Sequence, residues 1–206
     1  MNATIRAVLL LVGALLVLAG TLVYSLVRHG LSTKVEPTRV EQVVARTVRH
    51  LATPAADRAR RNPVPLSDAV LNGALEHFAD HCALCHANDG SGDTTIGRGL
   101  YPKAPDMRAN LTQSLSDGEL FSIIEHGVRL TGMPAWGTGT PDGERESWDL
   151  VHFIRHLPRL TAEERERMEA LNPKTPGEVQ EEEEAQGFLR GEQPAPAAGD
   201  QPKHHH

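Results

Sequence analysis

The chain has 206 residues and only two cysteines, and both fall in one pentapeptide, Cys82-Ala83-Leu84-Cys85-His86. A C-x-x-C pair admits few chemistries. Structural zinc needs about four ligands at matched spacing, and there is no second cysteine pair. A redox dithiol belongs beside a βαβ pattern, whereas the residues before Cys82 read as helix and those after it as the glycine-rich loop Asp89-Gly90-Ser91-Gly92-Asp93. A disulfide across so short a loop removes little chain entropy. The histidine directly after the second cysteine matches the spacing of covalent haem c attachment. Two thiols on one helical turn add to the two vinyl groups, and the adjacent imidazole serves as the proximal iron ligand. The disulfide and the redox dithiol stay as alternatives.

Only 4% of the residues are aromatic, so the packed part is small and a bound cofactor would supply much of its core. Ala7 to Val27 is a charge-free run of 21 residues, long enough as a helix to cross about 30 Å of hydrocarbon. It exceeds the apolar stretch of a cleaved signal peptide, about 7 to 15 residues, and Tyr24-Ser25-Leu26-Val27-Arg28 offers no A-x-A site. The reading is an uncleaved anchor, with cleavage near Ala19-Gly20 as the alternative. Arg6 on one side and Arg28 and Lys34 on the other leave the orientation open. Formal charge is +6 over residues 1–65, −6 over 66–160 and −6 over 161–206. The basic part follows the anchor, and nothing in the pattern suggests a nucleic-acid partner.

Four regions follow: an anchor at 1–30, a basic juxtamembrane helix and linker at 31–65, a domain-sized unit at 66–160 that holds the pentapeptide, and a charged helix with an acidic tail at 161–206. Val40, Val43, Val44, Thr47, Val48 and Leu51 recur at helical spacing, which predicts an amphipathic helix over 38–51 whose apolar stripe needs a cover. Thr53 to Pro65 reads as an extended Pro/Arg-rich tether. Ser67 caps a helix running into Cys82, and Ser116 with Glu119 forms a capping box for a second that stops at Gly127. A third begins near Asp142 and ends at Pro158. No alternating strand is visible, so the fold class is all-α. Thr161 to Leu171 reads as a solvent-facing charged helix, and from Asn172 the composition is that of a disordered tail. The closing Lys203-His204-His205-His206 is either a tag remnant or a weak metal binder.

The sixth iron position separates electron carriers from ligand-binding haems. Its candidate is Met133, 47 residues after His86, in a Gly/Pro loop that can present a thioether. Met107 is the reserve and Met168, among Glu and Arg, is set aside. His77, His81, His126, His152 and His156 read as surface or supporting groups, with His126 the first substitute in a bis-His site. Arg98, Tyr101, Lys103 and Trp136 are either donors to the haem propionates or solvated loop residues.

The span from Ser67 to Leu160 resembles the class I cytochrome c family. Gly73-Ala74 and Phe78 before Cys82-Ala83-Leu84-Cys85-His86 are similar to that family's amino-terminal helix, and Trp148-Asp149-Leu150-Val151-His152-Phe153 to its carboxy-terminal one. The resemblance implies that these helices cross, with Gly73 permitting close approach. It also implies that the Pro105 carbonyl, in Ala104-Pro105-Asp106-Met107, accepts a hydrogen bond from His86. Met133-Pro134-Ala135-Trp136 is similar to the bacterial branch, where the axial methionine precedes proline and an aromatic packs nearby. Haem c attachment in that family follows export, which implies an amino terminus in the cytoplasm and a domain on the periplasmic side of a bacterial inner membrane. The anchor and acidic tail depart from the core pattern. The implied function is one-electron transfer by one covalent haem c with His86 and Met133 on iron, and no enzyme activity. Expected partners are periplasmic or membrane-bound redox proteins and the lipid bilayer, without nucleic acid or small-molecule substrate. Two alternatives stand: a relay subunit of a larger membrane oxidoreductase, and a five-coordinate gas-binding or peroxidatic haem.

Overall fold

The computed structural model describes residues 2–29, 32–174 and 176–190. In chain order the helices are α1 (Ala3–His29), α2 (Arg39–Ala52), α3 (Ala55–Arg58) and α4 (Asp68–His77). A π-helical turn, Phe78–Cys82, joins α4 to α5 (Ala83–His86). Then come α6 (Thr95–Gly99), α7 (Asn110–Gln113), α8 (Asp117–His126), α9 (Pro141–His156) with a 3-10 turn at Leu157–Arg159, α10 (Ala162–Leu171) and α11 (Pro176–Leu189). Among the described residues there is no strand.

Side chains at the helix starts explain the boundaries. Ser67 accepts from the Val70 amide at 3.2 Å. Ser116 and Glu119 close a capping box, as do Thr161 and Glu164 and, ahead of α2, Thr38 and Glu41. Each box satisfies amides that a helix leaves unpaired at its first turn. α1 is long and apolar enough to cross a membrane and its apolar window is unburied among the described residues, which is compatible with a single-pass anchor.

The core forms where α4 crosses α9. Phe78 and Phe153 meet with ring centroids 5.1 Å apart, and Leu75, Val151 and Leu157 fill in around them. The close approach is made at Ala74, 2% exposed, and not at Gly73. A side chain built on Gly73 meets nothing, because that residue faces outward. The register follows from the crossing: Phe78 and Ala74 are one helical turn apart on the inward stripe, which leaves Gly73 off it.

One further expectation is corrected. Residues 53–65 are not an extended tether. α3 sits on the first turn of α8 so closely that a Cβ on Gly118 would lie 1.9 Å from the Asp57 carbonyl oxygen. Ser116 Oγ donates to the Arg58 carbonyl at 2.7 Å, Asn62 donates to the Trp148 carbonyl at 2.7 Å, and Val64 is buried in the core. The Arg60 guanidinium lies over the stacked rings of Phe121 and Trp148, 4.6 and 5.0 Å from their centroids. Buried Val64 and a cation laid on two aromatic faces favour a docked strap over a solvated spacer. α10 faces solvent over most of its length, as expected, but it is docked at one point. Met168 is fully buried, and Arg167 reaches Asn72 at 2.7 Å. One apolar residue per three turns escapes a periodicity count, yet it is enough to dock the helix.

Part of the expected tail, Pro176–Leu189, is helical, as its Glu, Gln, Ala and Leu content favours. The terminal histidines lie outside the described residues.

Candidate functional site

The π-helical turn ends on Cys82, and α5 carries Cys85 and His86 before the backbone leaves the helix at Ala87, φ 59°. The loop then folds back. The Gly92 amide donates to the His86 carbonyl at 2.8 Å, and the Met107 amide to the Gly90 carbonyl at 2.8 Å. Gly92 has φ 75°, and a Cβ there would fall 2.4 Å from the Ala104 carbonyl oxygen. Only glycine serves both demands. The strand of backbone at 104–105 therefore rides directly over the His86 turn. α6 is pressed on the same turn: a Cβ on Gly97 would lie 2.2 Å from the Cys85 carbonyl oxygen, which also accepts from Thr94 Oγ1 at 3.3 Å.

Cys82 and Cys85 are both free thiols. Burial, and secondarily the neighbouring Cys85, push the Cys82 thiol up to about 12, so it is protonated at neutral pH. His86 is 8% exposed, and burial holds its imidazole down at about 4. The Pro105 carbonyl opposes that shift but stops short of hydrogen-bond geometry, and His86 Nδ1 is buried without a partner. The Pro105 carbonyl thus lies beside the His86 ring without a bond to Nδ1. A neutral buried imidazole beside two reduced thiols is the donor set that covalent haem attachment uses, and the residues fit the group.

Met133 lies in a loop folded tightly on the end of α8. The Val128 amide donates to the Met133 carbonyl at 3.1 Å, the Met133 amide to Thr131 Oγ1 at 3.1 Å, and the Trp136 amide to the Ile124 carbonyl at 2.9 Å. Gly127, φ 63°, has the Met133 to Ala135 backbone within 2.8 Å of its missing Cβ. The loop reaches two other segments. Gly132 packs on Leu100, just past α6, and the Trp136 ring stands edge-on to His81, 5.4 Å between centroids. Residues 128–136 thus touch both His81, in the turn entering Cys82, and Leu100, the residue that follows α6, and Met133 is half-buried.

The remaining candidates are placed as follows. Arg98 pairs with Asp93, Tyr101 donates to Glu41 at 3.1 Å, and Lys103 pairs with Glu36. Met107 is buried in the core, its carbonyl accepting from Gln113 at 2.7 Å. His126 is exposed, His152 lies 2.8 Å from the Val64 carbonyl, and His156 lies 2.9 Å from Glu164. A shallow depression lined by His77, His81, Trp136, Glu146 and Asp149 contains neither cysteine, His86 nor Met133. Sequence reasoning gave no role to Gly92 and Gly97, where close backbone approach replaces side-chain chemistry, and it named Gly127 and Gly132 only as a helix stop and part of the methionine loop. Their only signal was recurrence of glycine around the two ligand-bearing segments.

A helical domain whose first and last long helices cross, with C-x-x-C-H at the end of the first, is a class I c-type cytochrome. Residues 69–154 match the family model described as cytochrome C oxidase, cbb3-type, subunit III. No curated protein matches the chain. A domain of this family implies haem c and haem-based electron transfer.

Proposed function

We propose that the protein is a one-electron carrier whose single haem c would be held by thioethers to Cys82 and Cys85 with His86 and Met133 as its iron ligands, the domain lying on the periplasmic side of an inner membrane anchored by α1. Each attachment adds a thiol S–H across a vinyl double bond, so no external oxidant or reductant is required. Bound there, the haem supplies a reversible ferrous/ferric couple. His86 offers a neutral nitrogen because burial disfavours its cation. The Pro105 carbonyl beside it limits ring rotation once Nδ1–H donates to it. Met133 contributes a thioether, which favours ferrous iron and raises the potential relative to bis-His ligation. Arg98 and Tyr101 are engaged by Asp93 and Glu41, so serving propionates would require exchange of those partners. Trp136 covers the side of the Met133 loop that faces His81.

The observation that carries this reading is the contact of the 128–136 loop with His81 beside Cys82 and with Leu100 after α6. An optical redox titration tests it. Met133→Ala should abolish the thioether-to-ferric charge-transfer band and lower the midpoint, while the mass of the denatured protein still includes one porphyrin. An unchanged band and potential would remove Met133 from the iron.

A second reading, a relay subunit within a membrane oxidase, is favoured by the cbb3-type description of the matching family. Mild detergent extraction followed by sizing separates the two: a stable complex with other subunits supports the relay, a lone chain the mobile carrier.

A further inference from the structure

α2 is oriented inside out for a water-soluble protein. An amphipathic surface helix ordinarily turns its apolar stripe toward the core and its charges toward water. Here the polar side faces the cytochrome domain. Tyr101 Oη donates to Glu41, His50 Nδ1 lies 3.1 Å from Glu119, Arg58 donates to the His50 carbonyl at 2.8 Å, and Lys103 pairs with Glu36 just before the helix. The stripe of Val40, Val43, Val44, Val48 and Leu51 points away, each side chain between 53% and 74% exposed. No residue of α2 is buried.

We infer that α2 lies in the lipid interface of the membrane that α1 crosses, its Val/Leu stripe dipped among the acyl chains and its polar side holding the cytochrome domain at a fixed attitude. This rests on the anchor reading of α1. Residues 30–38 are nine in number, which at about 3.4 Å each hold the start of α2 within about 30 Å of the end of α1. The acids near the helix, Glu36 and Glu41, are turned to domain partners, while Lys34 and Arg39 remain exposed at the end nearer the anchor, where anionic headgroups attract cations. A strong apolar stripe combined with low overall hydrophobicity is the composition of a helix that lies on a bilayer and does not cross it. The domain-facing contacts reach both the loop after α6 and the first turn of α8, so docking α2 orients the whole domain.

The test uses the full-length holoprotein in vesicles of phosphatidylcholine and phosphatidylglycerol. Nitroxides are placed singly at Leu16→Cys, Gln42→Cys, Val44→Cys, Val48→Cys and Glu163→Cys, with the haem spectrum confirming each fold. Oxygen concentrates in acyl chains and a nickel chelate stays in water, so relaxation by each reports depth. Positions 44 and 48 should resemble position 16, relaxed more by oxygen than by nickel, whereas 163 shows the reverse and 42 lacks the oxygen preference. If 16 is lipid-exposed but nickel relaxes 44 and 48 as strongly as 163, the inference falls and the anchor stands. If 16 itself behaves like 163, the anchor reading fails first and the inference with it. If 44 and 48 are open to nickel in pure lipid yet shielded from both reagents in native membranes, a protein partner covers the stripe and the lipid assignment is overturned.

Discussion

Gly127 shows how much of the site depends on one residue without a side chain. Its φ of 63° is strained for any other residue, and the Met133 to Ala135 backbone occupies the space of a Cβ. Gly127→Ala should therefore push the methionine loop outward and reproduce, in part, the lowered midpoint of Met133→Ala. Gly139→Ala shares a positive φ but has nothing within 4 Å, so in the same titration it should leave the potential unchanged. A second single-residue effect concerns Glu119. Burial raises its pKa, but hydrogen bonds from the Ser116 backbone, then His50 and the Ser116 side chain, outweigh burial and hold it below the ordinary 4.5. The folded state thus keeps the carboxylate ionised to lower pH. Its stabilisation is whole above about 4.5 and is lost as acidity passes down through the folded value. Thermal melting of the holoprotein should show that loss, blunted in Glu119→Gln, and Ser116→Ala should cost about 1 kcal/mol at neutral pH. Cys82, Cys85 and His86 were legible because their chemistry is contiguous. The glycines that seat them were not, since a missing Cβ acquires meaning only when another segment arrives beside it.

Among the elements, those with self-contained start signals were readable: Ser67, the Ser116/Glu119 box and the Thr161/Glu164 box each mark a helix that forms. What the pattern did not disclose was which face meets which. Two adjacent small residues, Gly73 and Ala74, both suited a helix crossing, and only the position of Phe78 against Phe153 decides between them. Opposite outcomes are expected from their substitution in chemical denaturation. Gly73→Ala, on an exposed helical face, should raise stability by about 0.5–1 kcal/mol. Ala74→Leu should overpack the crossing and lower it by about 1–3 kcal/mol.

Considered whole, the molecule is a small cytochrome domain between an apolar helix and a helical tail, and the resemblance covered only its middle. The strap at 53–65 was illegible because proline and arginine suggest solvated chain, whereas its docking depends on Phe121 and Trp148, more than fifty residues later. Docking has a practical corollary for where the autonomous folding unit begins. The family match starts at residue 69, but Val64, Asn62 and Arg60 seal the aromatic pair and the far side of α9. A soluble fragment opening at residue 54 should melt cooperatively, while one opening at 69 should melt several degrees lower and take up an apolar dye. The minimal heritable cassette is therefore longer at its amino-terminal end than motif boundaries suggest, and its true edge is drawn by an arginine lying on two rings.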